Sequence, residues 1–171
     1  MKLVLEIVIS SLCFVYLLQL TSSANNVKDD KLNSDWSYCF EFTWFGPDYD
    51  NSTQYNGTCA DYLEETRGKG IPCSPPIVIT YNGTFPDVEY LWQHHKKSVV
   101  CRRGSGQVCA RYAYYYNGAM KNATFMCTKV QVVGEEAVRS GCYNQKVRDY
   151  EVEVCVCESG KGPFKPCNIF S

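Results

Sequence analysis

Apolar and polar positions alternate with a period of two in several stretches, and these stretches set the expected architecture. Toward the C-terminus, Tyr150, Val152, Val154 and Val156 alternate with Glu151, Glu153, Cys155 and Cys157, the pattern of a β-strand. Near the start, Trp36, Tyr38, Phe40 and Phe42 alternate with Ser37, Cys39, Glu41 and Thr43, which predicts a strand with an aromatic face. Between them, Ala110 to Tyr116 and Ala119 to Met126 flank Asn117-Gly118. An Asn-Gly pair in that setting predicts a β-hairpin with a type I′ turn, whose two central residues both need positive φ. In that register Tyr116 faces Ala119, Tyr114 faces Lys121 and Ala113 faces Asn122. Tyr112, Tyr114, Tyr116 and Phe125 then share one face, and Arg111, Ala113 and Asn122 the other. A further strand is expected over Lys129 to Val133, turning at Gly134-Glu135. Val138 to Cys142 leads into a last loop, tipped near Asn144 to Asp149, that returns as the closing strand.

Helical spacing is scarcer. Val88, Leu91, Trp92 and His95 fall on one helical face, with Pro86 before them and Lys96 and Lys97 after; a short helix and irregular chain both fit. Thr58 to Arg67 reads as a short helix with Thr58 as its cap and Gly68 as its stop. Ile77 to Tyr81 is a short β-like run ending at an Asn82-Gly83 turn.

The ends of the chain assign a compartment. Lys2 followed by a largely apolar run to Leu20 and by Ser22-Ser23-Ala24 reads as a secretory signal peptide, residues 1–24. Residues 25–35 are polar and mixed in charge, a disordered lead-in, and 36–171 form one domain. Only three residues follow Asn168, too few for the apolar tail of a lipid anchor, so a soluble exported protein without a membrane anchor is expected. Four Asn-x-Ser/Thr sequons, at Asn51, Asn56, Asn82 and Asn122, fit an exported glycoprotein.

Cysteine usage agrees. Of eleven cysteines, Cys13 lies in the signal and ten remain, an even number in a short exported chain, hence a disulfide framework. Cys155 and Cys157 sit on the same face of one strand, so they cannot bond each other and must reach elsewhere. Cys142 and Cys167 are their local candidates. A zinc site is disfavoured, because there is no Cys-x-x-Cys and the only histidines are His94 and His95.

The remaining chemistry points to binding rather than catalysis. His94 and His95 are the only imidazoles, Ser98 and Ser105 lie near them in sequence, and no Gly-x-Ser-x-Gly elbow exists. With all ten cysteines wanted for bonds, no thiol nucleophile is left. We therefore expect no enzyme, no cofactor and no metal. A net charge of −1 supplies no field for nucleic acid. Lys96, Lys97, Arg102 and Arg103 form a local basic run without an acid. It is either a solvated loop or a site for sulfated glycans or acidic protein surfaces. The Tyr112, Tyr114 and Tyr116 stripe is either core, covered by the N-terminal part of the domain, or a contact face.

Cys101-x7-Cys109, the hairpin running to Cys127, then Cys142, Cys155-x-Cys157 and Cys167-Asn168 together resemble the three-finger domains of the Ly6/uPAR superfamily. The resemblance implies a small, disulfide-rich, all-β three-finger fold with five disulfides: Cys39–Cys109, Cys59–Cys73, Cys101–Cys127, Cys142–Cys155 and Cys157–Cys167. Cys39 and Cys59 are far apart and Cys73 to Cys101 is long, so the first finger should be enlarged. Asn168 matches the family's closing Asn, whose side chain ties the base of the fingers. By resemblance, the chain should bind or modulate a cell-surface receptor, channel or adhesion partner through finger tips and one sheet face. The expected contacts are Tyr114, Tyr116 and Met120 on the second finger and Lys146 and Arg148 on the third. A structural role in extracellular matrix or junction assembly is the alternative from another class, and a salivary or venom-type effector is a third reading.

Overall fold

The computed structural model describes residues 31–49, 58–60, 71–134 and 136–169. In chain order the elements are β1 (Tyr38–Phe40), β2 (Phe42–Trp44), β3 (Ile77–Val78), α1 (Val88–His95), β4 (Val100–Arg102), β5 (Val108–Tyr116), β6 (Ala119–Thr128), β7 (Gly141–Val147) and β8 (Tyr150–Cys157). Six strands form one sheet in the order β3-β2-β6-β5-β8-β7, while β1 pairs only with β4. The chain is thus mostly β, with one complete helix among the described residues. The helix expected from Thr58 lies, beyond Ala60, outside the described residues.

The aromatic run at the start does not make one strand. It breaks at Glu41: Tyr38–Phe40 pairs with β4, and Phe42–Trp44 crosses to the large sheet, antiparallel to β6 and parallel to β3. Glu41 holds the crossing, its N–H donating to the Val99 carbonyl at 2.8 Å and its carboxylate accepting from the Ser74 hydroxyl at 3.0 Å. Every residue of both short strands is buried, because they lie between layers rather than on one surface.

β5 and β6 form the expected hairpin, with Asn117 at φ 50° and Gly118 at φ 75°. Its register departs from the simple alternation. Tyr116 faces Ala119, but Tyr115 faces Met120 and Tyr114 faces Asn122, so Lys121 is an extra, bulged residue. One inserted residue exchanges the faces of everything beyond it. Asn122 therefore joins Tyr114, and Phe125 joins Arg111, each opposite to expectation. The cause is tertiary. Lys121 reaches Asp48 at 3.3 Å, and its carbonyl lies against Gly46, at φ 98°, where a Cβ would collide with it.

Two apolar layers follow. On one face Phe42 stacks on Phe125 at 4.3 Å, joined by Trp44, Ala123, Phe40 and Val99 and covered by Val88, Leu91 and Trp92 of α1. The helix forms because Asp87 caps it, accepting from the Tyr90 N–H at 2.9 Å, and because Trp92 meets Phe40 edge-on. On the other face Val108, Ala110 and Val156 pack with Val130 and Val138. That cover comes from the segment expected as a strand over Lys129 to Val133. It forms instead a small loop, with one bridge from Gln131 to Ala137 and Val133 fully exposed. Val130 packs on the sheet, and among the described residues no neighbouring strand takes the segment's backbone.

Five disulfides join Cys39–Cys109, Cys59–Cys73, Cys101–Cys127, Cys142–Cys155 and Cys157–Cys167. Cys39, Cys109 and Cys155 are fully buried. The Asn168 side chain, also fully buried, accepts from the Phe40 N–H at 3.0 Å and donates to the Phe40 and Ala110 carbonyls, both at 3.1 Å. One side chain thereby joins β1 to β5 beside the Cys39–Cys109 bond.

Candidate functional site

Burial falls along β5 and β8 toward the turns. β5 begins with four buried residues and ends exposed, and β8 starts exposed at Tyr150 and becomes buried at Cys155. Both strands are thus packed at the disulfide end and open at the turn end. The second hairpin turns at Arg148-Asp149, since Val147 pairs with Tyr150, and Arg148 takes the left-handed conformation at φ 57°. The two turns are tied together: the Asn117 N–H donates to the Asp149 carbonyl at 2.9 Å. They form one surface.

Tyrosines dominate that surface. Tyr116 and Tyr150 face each other across β5 and β8, with ring centroids 5.1 Å apart, and Tyr114 stacks on Tyr150 at 5.8 Å. Tyr116 is 38% exposed and Tyr150 47%. Tyr143 on β7, opposite Val154, is also exposed. Tyr116, Tyr150 and Tyr143 stand outside both apolar layers, and a ring that gives large area with few rotors suits an interface.

The five expected contact residues divide. Tyr114, Tyr116 and the turn residue Arg148 belong to this surface. Met120 does not: it faces Tyr115, as the two-residue turn alone dictates, and packs against the Phe42–Phe125 core, which the bulge at Lys121 brings onto its face. Lys146 pairs with Glu151, on the same opposite face. That face carries a part-buried ion pair between Arg111 and Glu153, which links the two hairpins. Burial, then the Glu153 carboxylate, push the Tyr115 phenol above its ordinary pKa. Tyr150 and Tyr143 are the contact candidates that sequence reading missed. Tyr150 opens the alternation of β8 and was visible as apolar, but only the pairing to Tyr116 places it at a tip.

Other expected residues are dispersed. His94 and His95 are exposed on α1, the His94 ring stacking on Tyr90 at 4.3 Å and its Nδ1 lying 3.0 Å from the Tyr90 carbonyl. The Sγ atoms of Cys39, Cys101 and Cys127 cluster within 4.8 Å, yet all three are disulfide sulfurs rather than metal-binding thiolates. The basic run does not stay together: Lys96 and Lys97 end α1, Arg102 stacks on Trp36 at 3.9 Å, and Arg103 pairs with Glu158 at 3.2 Å.

Of the four sequons, Asn51 and Asn56 lie outside the described residues. Asn82 is exposed on a turn, its Oδ1 accepting from the Thr84 N–H and hydroxyl. Asn122, expected on the face of Arg111 and Ala113, is instead carried by the bulge onto the side where the Pro72 to Ser74 segment crosses β6 and β2, and is 2% exposed.

Compared with family models, with curated proteins and with solved structures, the chain finds no match.

Proposed function

We propose that this chain is an exported, three-finger-like protein of the Ly6/uPAR type that binds a cell-surface protein through its paired hairpin tips. The observation that carries the reading is the Tyr114–Tyr150–Tyr116 stack: large rings at the open end of two hairpins whose other end is held by buried disulfides. Five disulfides suit an oxidising, extracellular setting, and no helix among the described residues is long and apolar enough to cross a membrane. Asn168, at the junction of β1 and β5, matches the role that the three-finger resemblance assigns to the closing Asn. A receptor, channel or adhesion molecule is the class of partner.

Two substitutions separate contact from folding. Tyr116→Ala should leave secretion unchanged and weaken saturable binding of the labelled protein to partner-bearing cells by more than about 1 kcal/mol. Tyr112→Ala, nearer the base and half-buried, should lower secretion. If Tyr116→Ala secretes and binds like the wild type, the tip is not the contact. Retention in insoluble matrix, instead of saturable binding, would favour the structural role.

Export also makes a prediction about sugar. Asn82→Gln should remove one glycan, read as a mass shift, whereas Asn122→Gln should leave the glycan mass unchanged. A glycan found on Asn122 would contradict the burial of that side chain.

A further inference from the structure

At the disulfide end of the sheet, opposite the tips, lies an open cleft of about 350 Å³. Its wall brings together cations from separate parts of the chain: Arg102 at the end of β4, Arg103 after it, Arg139 before β7, and Lys161 after β8. Lys96 and Lys97, their neighbours in the sequence reading, are not part of it. Glu158 and Asp35 are the acids in the wall, so four cations stand against two carboxylates. The shortage is specific in geometry. Arg103 and Arg139 both place Nη1 3.2 Å from the same oxygen of Glu158, and one carboxylate carries a single charge. Among the described residues no carboxylate lies within ion-pair distance of Arg102 or Lys161.

Arg102 is also held ready. Its guanidinium carbon lies 3.9 Å from the centre of the Trp36 ring, a cation–π contact that restrains the side chain and reduces the entropy lost when it engages a ligand. A planar guanidinium suits the oxygens of a sulfate or phosphate group, and several cations around a cleft raise the local potential for an anion. The volume falls within the ~300–1,000 Å³ usual for ligand sites, and the wall is polar, which selects a charged, hydroxyl-rich occupant over an apolar one.

We propose that this cleft binds a sulfated saccharide, with Arg102, Arg139 and Lys161 contacting the sulfate and Arg103 completing the field. Only the choice of sulfate over phosphate rests on the extracellular reading; the site itself is independent of the tips. It gives the protein a second surface, so that a partner at the tips and a glycan at the base are held at the same time.

The test uses the purified full-length secreted protein and a heparin-derived hexasaccharide at physiological salt. The wild type should bind it and should not bind the fully desulfated hexasaccharide. The double variant Arg139→Ser, Lys161→Ser changes two exposed side chains and should weaken binding by about tenfold or more. Lys96→Ser with Lys97→Ser should stay within about twofold of wild type. Glu158→Gln removes the competing carboxylate and should tighten binding, an effect that a merely structural Glu158 would not produce. The proposal is overturned if the wild type does not discriminate sulfated from desulfated sugar, or if the double variant binds like the wild type. It is also overturned if the Lys96/Lys97 variant loses as much, or if inositol hexakisphosphate is bound and the saccharide is not. Loss of cell binding by Tyr116→Ala with hexasaccharide binding intact would show that the two sites are separate.

Discussion

Asn168→Ala is expected to destabilise the protein by about 3 kcal/mol or more and to abolish secretion. The side chain is fully buried and makes three hydrogen bonds, all to backbone: Phe40 N–H, Phe40 C=O and Ala110 C=O. Truncation removes the bonds and leaves those groups in an apolar interior, at about 1–3 kcal/mol for each one left unsatisfied. Domain stabilities are only about 5–15 kcal/mol, so this single change consumes much of the margin. Asn168→Asp is a sharper form of the same prediction. It keeps the size and the acceptor, but it sets a carboxylate against two carbonyl oxygens. At neutral pH it should cost at least as much as alanine. Urea denaturation of the variants that can be purified, and secreted yield for those that cannot, give the comparison. A loss under about 1 kcal/mol for Asn168→Ala would mean that the junction of β1 and β5 is held by the disulfides alone.

Gly46→Ala is expected to be nearly as damaging, at about 3 kcal/mol, for a different reason. Positive φ at a residue with a Cβ costs about 1–2 kcal/mol. The new Cβ would also strike the Lys121 carbonyl, a backbone atom that cannot rotate aside, and overpacking of this kind adds about 1–3 kcal/mol. Gly118→Ala is the control. It has the same sign of φ, at 75°, but nothing lies within 4 Å of its would-be Cβ, so only the conformational cost of about 1–2 kcal/mol applies. Equal losses from the two variants would show that the close approach of Gly46 to Lys121 does not hold the bulge.

These two positions also mark the limits of reading the chain from its letters. The β5–β6 hairpin and the closing strand β8 were legible because their signals are local: alternation with a period of two, and an Asn-Gly pair suited to two positive φ values. The bulge at Lys121 was not legible, because its cause is a contact with Gly46 and Asp48 more than seventy residues away. The faces of Phe125 and Asn122 follow from it, whereas Met120, on the turn side of the bulge, faces Tyr115 in either register. The first strand failed in a similar way. Its aromatic alternation runs through Glu41 without a mark, yet the backbone changes partners there, from β4 to β6. Asp87, the cap that makes α1 a helix, was visible in the sequence and passed over in favour of Pro86. The tip was half legible: Tyr114, Tyr116 and Arg148 are there, but Tyr150 joins them only through strand pairing. Arg139 and Lys161, on separate loops, carry no mutual signal in the sequence.

The account rests on two hairpins growing from one disulfide base, so that their turns lie side by side and display the tyrosine stack. The most direct test is a disulfide map of the secreted protein by peptide mass spectrometry, with cleavage between Cys155 and Cys157. The account predicts Cys142 with Cys155 and Cys157 with Cys167, one bond closing the β7–β8 hairpin and the other closing the chain onto its base, together with Cys39–Cys109 and Cys101–Cys127. A peptide pair joining Cys155 to Cys167 would contradict it, because the hairpins would then not share that base and their tips would not meet.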